Sequence, residues 1–214
     1  MLCVSLSGTI KSVFEQITIG DMAEVRMDLM EITNQDVIEI FSKPVDLIAT
    51  CRKGRYSEET RKEFLLLAMA SGARWVDLDV ETDFLFLEEI KEQARKIGCK
   101  LILSYHNLEA TPPISILQNI QKQFAELGAD LIKIATMGQN VKDVSRILSL
   151  YDYSVQTLAI SMGQVGRISR VIALFLGAPF TFVVPDNGVS TAPGQLTITE
   201  FKRIWENVKN DFAQ

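Results

Sequence analysis

The chain has 214 residues, 47% of them hydrophobic and 23% charged, a globular balance that excludes a disordered, collagenous or disulfide-scaffold protein. That length favours a single domain over residues 1–214. The net charge of −5, from 22 basic and 27 acidic side chains with no block of like sign, offers no footprint for nucleic acid or an anionic membrane and turns attention to a small-molecule partner.

In chain order, short apolar runs fall at 2–6, 23–29, 45–51, 74–80, 100–105, 130–135, 154–160 and 180–184. They are β-branched or leucine-rich, the pattern of strands covered on both faces. The segments between them, 10–19, 34–42, 57–71, 84–97, 113–127, 140–150, 164–176 and 197–211, carry a 3.6-residue period and are predicted helices. Gly72, Gly98, Gly128 and Gly177 stand just past helix ends, Ser57 precedes an acidic first turn, and Pro112-Pro113 opens another helix. Strict alternation implies parallel strands joined by helical crossovers, and eight repeats of about 27 residues suit an α/β (β/α)8 TIM barrel. The competing open doubly wound sheet should carry a glycine-rich fingerprint after its first strand, where Ser7-Gly8-Thr9 supplies one glycine.

Charges stand where these strands should be dry. Glu24, Arg26 and Asp28 occupy i, i+2 and i+4 of the second run and therefore share one face. The fourth run repeats this with Asp77, Asp79 and Glu81, and the third ends at Arg52. If the helices cover the other face, these charges point into the barrel and must pair or meet a ligand. For Asp28, Asp77 and Asp79, ion pairing is the favoured reading; for Glu24, Arg26 and Arg52, a ligand role is favoured. His106, the only histidine, ends the fifth run, where barrel enzymes place acid/base groups. Lys133 sits between Ile132 and Ile134 on the sixth run. Burial and nearby cations such as Arg26 or Arg52 would favour its free amine, a Schiff-base nucleophile; a lysine that snorkels or pairs with an interior aspartate is the equal alternative.

Beyond the seventh run, Gly163 and Gly166 allow a tight turn into a helix whose first turns carry Arg170, suited to an anion. The polar stretch 185–196 after the eighth run has the length and composition of a lid. Cys3, Cys51 and Cys99 are odd in number, widely spaced and flanked by apolar residues, reading as buried thiols in a reducing compartment. With no signal-like start and no apolar run of spanning length, the expected location is cytoplasmic.

Taken together, Glu24-x-Arg26-x-Asp28, Thr50-Cys51-Arg52, Ser104-Tyr105-His106-Asn107, Ile132-Lys133-Ile134-Ala135-Thr136, Ser161-Met162-Gly163-x-x-Gly166-x-x-Ser169-Arg170 and Ala192-Pro193-Gly194-Gln195 closely resemble type I 3-dehydroquinate dehydratases over nearly the whole chain. The resemblance implies a (β/α)8 barrel that converts 3-dehydroquinate to 3-dehydroshikimate in the shikimate pathway of aromatic amino acid biosynthesis, with no cofactor and no metal. By it, Lys133 matches the lysine that condenses with the substrate ketone, and His106 the general acid/base of a syn elimination. Arg170 matches the carboxylate-binding arginine, Thr191 and Gln195 belong to the closing loop, Glu24, Arg26 and Arg52 hold ring hydroxyls, and Met162 packs beside the ring. The expected partner is the small-molecule substrate 3-dehydroquinate, with neither nucleic acid nor membrane; a homodimer is one possible assembly.

The chain departs from the family pattern at three places. An acidic residue about four positions beyond the arginine matched by Arg52 usually orients the histidine, and Tyr56 and Ser57 fill that stretch. Glu58 or Glu59 could substitute, although two carboxylates there also suit a helix N-terminus. Thr191 stands in place of the usual serine, and the chain starts at its first strand, without the hairpin some members carry. A class I Schiff-base aldolase and a catalytically inert, ligand-binding barrel are the alternative readings.

Overall fold

The computed structural model describes residues 1–79 and 83–212. Its elements follow as β1 (Leu2–Leu6), α1 (Ile10–Gln16), β2 (Met22–Arg26), α2 (Asn34–Phe41), β3 (Leu47–Thr50), α3 (Glu58–Ala70), β4 (Trp75–Asp79), α4 (Phe84–Ile97), β5 (Lys100–Asn107) and α5 (Ile114–Glu126). The second half continues with β6 (Leu131–Met137), α6 (Val141–Leu148), β7 (Thr157–Met162), α7 (Gly163–Gly166), α8 (Ser169–Phe175), β8 (Thr181–Val184), β9 (Leu196–Thr197) and α9 (Ile198–Phe212).

Local chemistry sets where several helices begin. The side chains of Thr9, Ser57, Asp83 and Asn140 accept backbone N–H groups of the first turns of α1, α3, α4 and α6. Thr33 and Asp36 form a reciprocal capping box on α2.

All strand pairs are parallel, in the order β7-β6-β5-β4-β3-β2-β1-β8-β9. Period-2 alternation divides each strand between two apolar environments. Val4, Val25, Ala49, Val76, Leu103 and Ile134 face outward into the core shared with the helices. Cys3, Met22, Ile48, Trp75, Ile102 and Phe180 gather in the second cluster, inside the curl. That the sheet curls into a barrel is visible in contacts across it: Lys133 on β6 reaches Glu24 on β2, and its ammonium lies 4.2 Å from the Phe182 ring centroid on β8. No ladder joins β7 to β8 among the described residues, and Leu158 and Ile160 of β7 share the inner apolar cluster with Phe182 of β8. Trp75 and Phe180 meet edge to face at 6.2 Å, and Phe180 and Phe182 at 5.4 Å, sealing the floor of the lumen.

The expected boundaries hold to within a few residues, with three differences. β2 ends at Arg26, and Met27–Leu29 form a 3-10 turn, so Asp28 does not continue the strand's alternation but folds back onto Arg26. The helix expected at 164–176 is two helices, because Gly166 packs so tightly on the Ser161 carbonyl that a Cβ would overlap it, and the Ser169 hydroxyl donates to the Gly166 carbonyl at the break. The stretch 185–196 ends in the short strand β9, which adds to the edge of β8. Glu81, placed above among the inward acids, lies outside the described residues. Cys3, Cys51 and Cys99 are free and buried, as expected, and burial pushes the Cys51 and Cys99 thiols up to about 12. Among the described residues no helix is long and apolar enough to cross a membrane.

Candidate active site

The C-terminal ends of the strands surround a cavity of about 380 Å³ of non-protein space, part of it open to solvent. Alternation aims Glu24 and Arg26 of β2, His106 of β5, Lys133 of β6 and Met162 of β7 into it; Arg52, just beyond β3, joins them. Arg170 comes from α8, and Thr191 and Gln195 from the loop above. The structure therefore brings every proposed site residue to one cavity.

Lys133 is 5% exposed and stands between two carboxylates, with Nζ 2.8 Å from Asp77 Oδ2 and 3.3 Å from Glu24 Oε1. Its polar contacts are carboxylates, so the alternative of pairing with an interior aspartate is realised, while Arg52 stands nearby on the same Asp77 oxygen at 3.8 Å. A buried ion needs such partners because its desolvation otherwise costs several kcal/mol or more. The carboxylates are themselves secured. Glu24 accepts from the Ser5 hydroxyl at 3.0 Å and the Thr50 hydroxyl at 3.1 Å, and Asp77 from the Ser104 hydroxyl at 2.6 Å. Burial works against the charge of Asp77, but Lys133, Arg52 and His106 outweigh it and hold the carboxyl well below its ordinary value. Glu24 follows the same pattern: burial opposes ionisation, while Lys133, Arg26 and Arg52 win and lower it.

His106 shares this mouth. Its Nδ1 lies 2.6 Å from Asp79 Oδ2, two residues along β4 from Asp77. Burial lowers the imidazole below its ordinary value, Arg52 and Lys133 push the same way, and the hydrogen bond to Asp79 opposes them in part. Tyr56 does not reach toward the histidine. Its hydroxyl donates to the Met30 carbonyl at 2.6 Å and accepts from the Ile32 N–H at 3.2 Å, tying the loop after β3 to the loop after β2. Glu58 and Glu59 are exposed in the first turn of α3, the plainer of their two readings.

The arginines differ in how they are engaged. Arg26 is held by Asp28 through two bonds, Nε to Oδ1 at 3.0 Å and Nη2 to Oδ2 at 2.6 Å, so much of its donor capacity is already used. Arg52 makes a looser pair with Asp77 at 3.8 Å, and its Nε has no hydrogen-bond partner among the described residues. Asp28 and Asp77 are thus ion-paired and Asp79 is hydrogen-bonded to His106; their partners Arg26, Lys133 and His106 line the cavity.

The loop 185–195 lies down over the mouth. Arg170 donates from Nε to the Gly194 carbonyl at 3.2 Å and from Nη2 to the Pro193 carbonyl at 3.3 Å. Burial, with Arg167 adding to it, brings its guanidinium down to about 10. Gln195 Oε1 accepts from the Thr191 N–H at 3.0 Å and hydroxyl at 3.2 Å, while its Nε2 donates to the Ser5 hydroxyl at 3.1 Å. Ser5 was missed by sequence reasoning, although a hydroxyl on the inward face of an apolar first strand was a usable signal. Through Ser5 the loop is connected to Glu24 and thence to Lys133.

An amine and an imidazole on neighbouring strands, facing one cavity at the C-terminal mouth of a TIM barrel, define a barrel enzyme with the parts for acid/base and covalent chemistry. The family profile described as type I 3-dehydroquinase matches residues 2–211, and the chain belongs to that family, whose members are hydro-lyases. A 3-dehydroquinate dehydratase of Pyrococcus abyssi is 33% identical over 210 residues, covering 94% of each chain. The crystal structure of the 3-dehydroquinate dehydratase from Aquifex aeolicus superposes with a TM-score of 0.83 at 25% identity, covering 97% of this chain and 98% of that one. That of the Geobacillus kaustophilus enzyme superposes at 0.87 with 20% identity, covering 98% and 91%, a likeness of fold.

Proposed function

We propose that this chain, acting as one barrel domain over residues 1–214, removes water from 3-dehydroquinate through a Schiff base at Lys133, a step toward aromatic amino acids in the cytoplasm. The observation that carries the reading is the placement of Lys133, buried in the lumen and facing the same cavity as the chain's only histidine. Membership of the family and the relatives' dehydratase activity support the substrate.

In this reading Lys133 Nζ, having passed a proton to His106, attacks the ketone carbon, and His106 returns that proton to the carbinolamine hydroxyl. The carbinolamine loses water to leave an iminium. The iminium draws electrons from the adjacent C–H bond, whose proton passes to His106. The resulting enamine expels the C1 hydroxyl, which takes a proton from His106 and departs as water. A second water then hydrolyses the product imine, releasing 3-dehydroshikimate and restoring the amine. One imidazole serves both proton transfers because proton and leaving group depart from the same face.

Glu24, Arg26 and Arg52 line the wall where ring hydroxyls would sit, Arg52 with a free N–H to offer. Arg170 would take the substrate carboxylate beneath Thr191 and Gln195, and Met162 would lie against the ring. Borohydride added with 3-dehydroquinate is expected to leave a reduced adduct on the peptide containing Lys133, and Lys133→Ala to abolish enone formation. Labelling at another residue, or full turnover by Lys133→Ala, would refute the assignment.

A further inference from the structure

The family resemblance leaves the histidine without its usual carboxylate, since Tyr56 occupies that stretch and is engaged with Met30 and Ile32 instead. We infer that Asp79, at the end of β4, is the positioning residue of His106: it accepts the Nδ1 proton and thereby leaves the Nε2 lone pair facing the cavity. This rests on His106 being the acid/base group of the dehydration proposed above.

Three features of the structure support the assignment. His106 Nδ1 and Asp79 Oδ2 are 2.6 Å apart, the short distance of a charge-assisted bond. The two side chains come from the ends of adjacent strands, with Asp79 registered against Ser104 and His106 two residues further along β5. Regular strand geometry therefore sets their approach, without help from a loop. Both are mostly buried, at 14% and 17% side-chain exposure, so the bond is poorly screened by solvent.

The consequence for chemistry follows from the two ring nitrogens. A neutral imidazole carries one proton, and a carboxylate at Nδ1 keeps it there, so the other nitrogen is the base. When His106 takes the substrate proton, the same carboxylate steadies the imidazolium until the proton passes to the leaving hydroxyl. The other charged groups around the ring act differently. Arg52 beyond β3 and Lys133 on β6 disfavour its cation, and Asp77, further down β4, is committed to Lys133. Asp79 alone among these both touches the ring and favours the proton on Nδ1.

The single histidine makes the test direct, because ¹⁵N-histidine labelling of the whole protein reports one imidazole. In substrate-free protein above the titration midpoint, the Nδ1–H tautomer is expected to dominate. Asp79→Asn should shift the ring toward the Nε2–H form, move its midpoint to lower pH, and reduce kcat roughly 10- to 100-fold with a much smaller change in KM. Asp79→Glu should restore part of the rate and the tautomer. A wild-type ring that is mainly Nε2–H overturns the inference, and needs no variant to fold. So does an Asp79→Asn protein with unchanged tautomer, midpoint and kcat. The spectra are read without substrate, so failure of the dehydration assay leaves them standing, whereas an active enzyme with the wrong tautomer removes Asp79 and spares the dehydratase reading.

Discussion

His106 is where residue-level physics bears most directly on activity. Burial, Arg52 and Lys133 together outweigh Asp79 and place the imidazole below its ordinary value of 6.5. The neutral ring is the form that accepts the substrate proton, and a lowered midpoint keeps it neutral further into acid. The midpoint of the acid limb of kcat/KM is therefore expected below pH 6.5; a midpoint at or above that value, from initial rates across pH 5–8, would contradict the balance of charges described here. That His106 and Lys133 point to the lumen was legible from alternation along β5 and β6. Which carboxylate each would meet was not: two acids on β4, Asp77 and Asp79, share a face, and only the three-dimensional arrangement assigns one to the lysine and the other to the histidine.

At the scale of elements, the last third of the chain builds the cover of the site. Gly166 and Ser169 break the expected helix into α7 and α8, which sets Arg170 at the start of α8 under the loop. The loop is seated through its own backbone: Gly163 N–H donates to the Pro193 carbonyl at 3.2 Å, and Arg170 takes the carbonyls of Pro193 and Gly194. Gly194 has φ +70° and lies so close to Gly163 that a Cβ would overlap its carbonyl. Gly194→Ala must therefore adopt a costly backbone and lift the loop, a strain of about 1–3 kcal/mol. Because the strain falls on loop closure, kcat/KM is expected to drop roughly 10- to 100-fold with little change in Tm. A variant with wild-type kcat/KM would show that this seat is unimportant for turnover. The glycines and the loop's length were readable in the sequence, but not its attachment to Arg170, because backbone carbonyls leave no residue-type signal.

For the whole molecule, the question is how a sheet with no ladder between β7 and β8 among the described residues holds a closed lumen. The inner apolar cluster supplies the answer: Leu158 and Ile160 of β7 belong to it with Phe180 and Phe182, Phe180 meets both Trp75 and Phe182 edge to face, and Phe182 lies against Lys133. Phe180 is fully buried, so Phe180→Ala removes both its transfer free energy and the packing of its neighbours. A loss of about 3–5 kcal/mol is expected in urea unfolding. A loss below about 1 kcal/mol would mean that the floor collapses around the gap and that closure does not depend on this cluster.

Periodicity determined the alternating strands and helices and most of the side chains turned inward, because each is a local property of the chain, and the count of eight repeats with one glycine after the first strand favoured the barrel. Even the departure at Tyr56 was visible as a missing acid. Pairing belonged to the tertiary structure. Lys133 meets Glu24 across 109 residues and Gln195 meets Ser5 across 190, separations at which nothing in the intervening sequence specifies the partner. The charges in the lumen could have been satisfied in several ways. Strand register and curvature select one, because a buried charge is stable only beside the group that the fold carries to it.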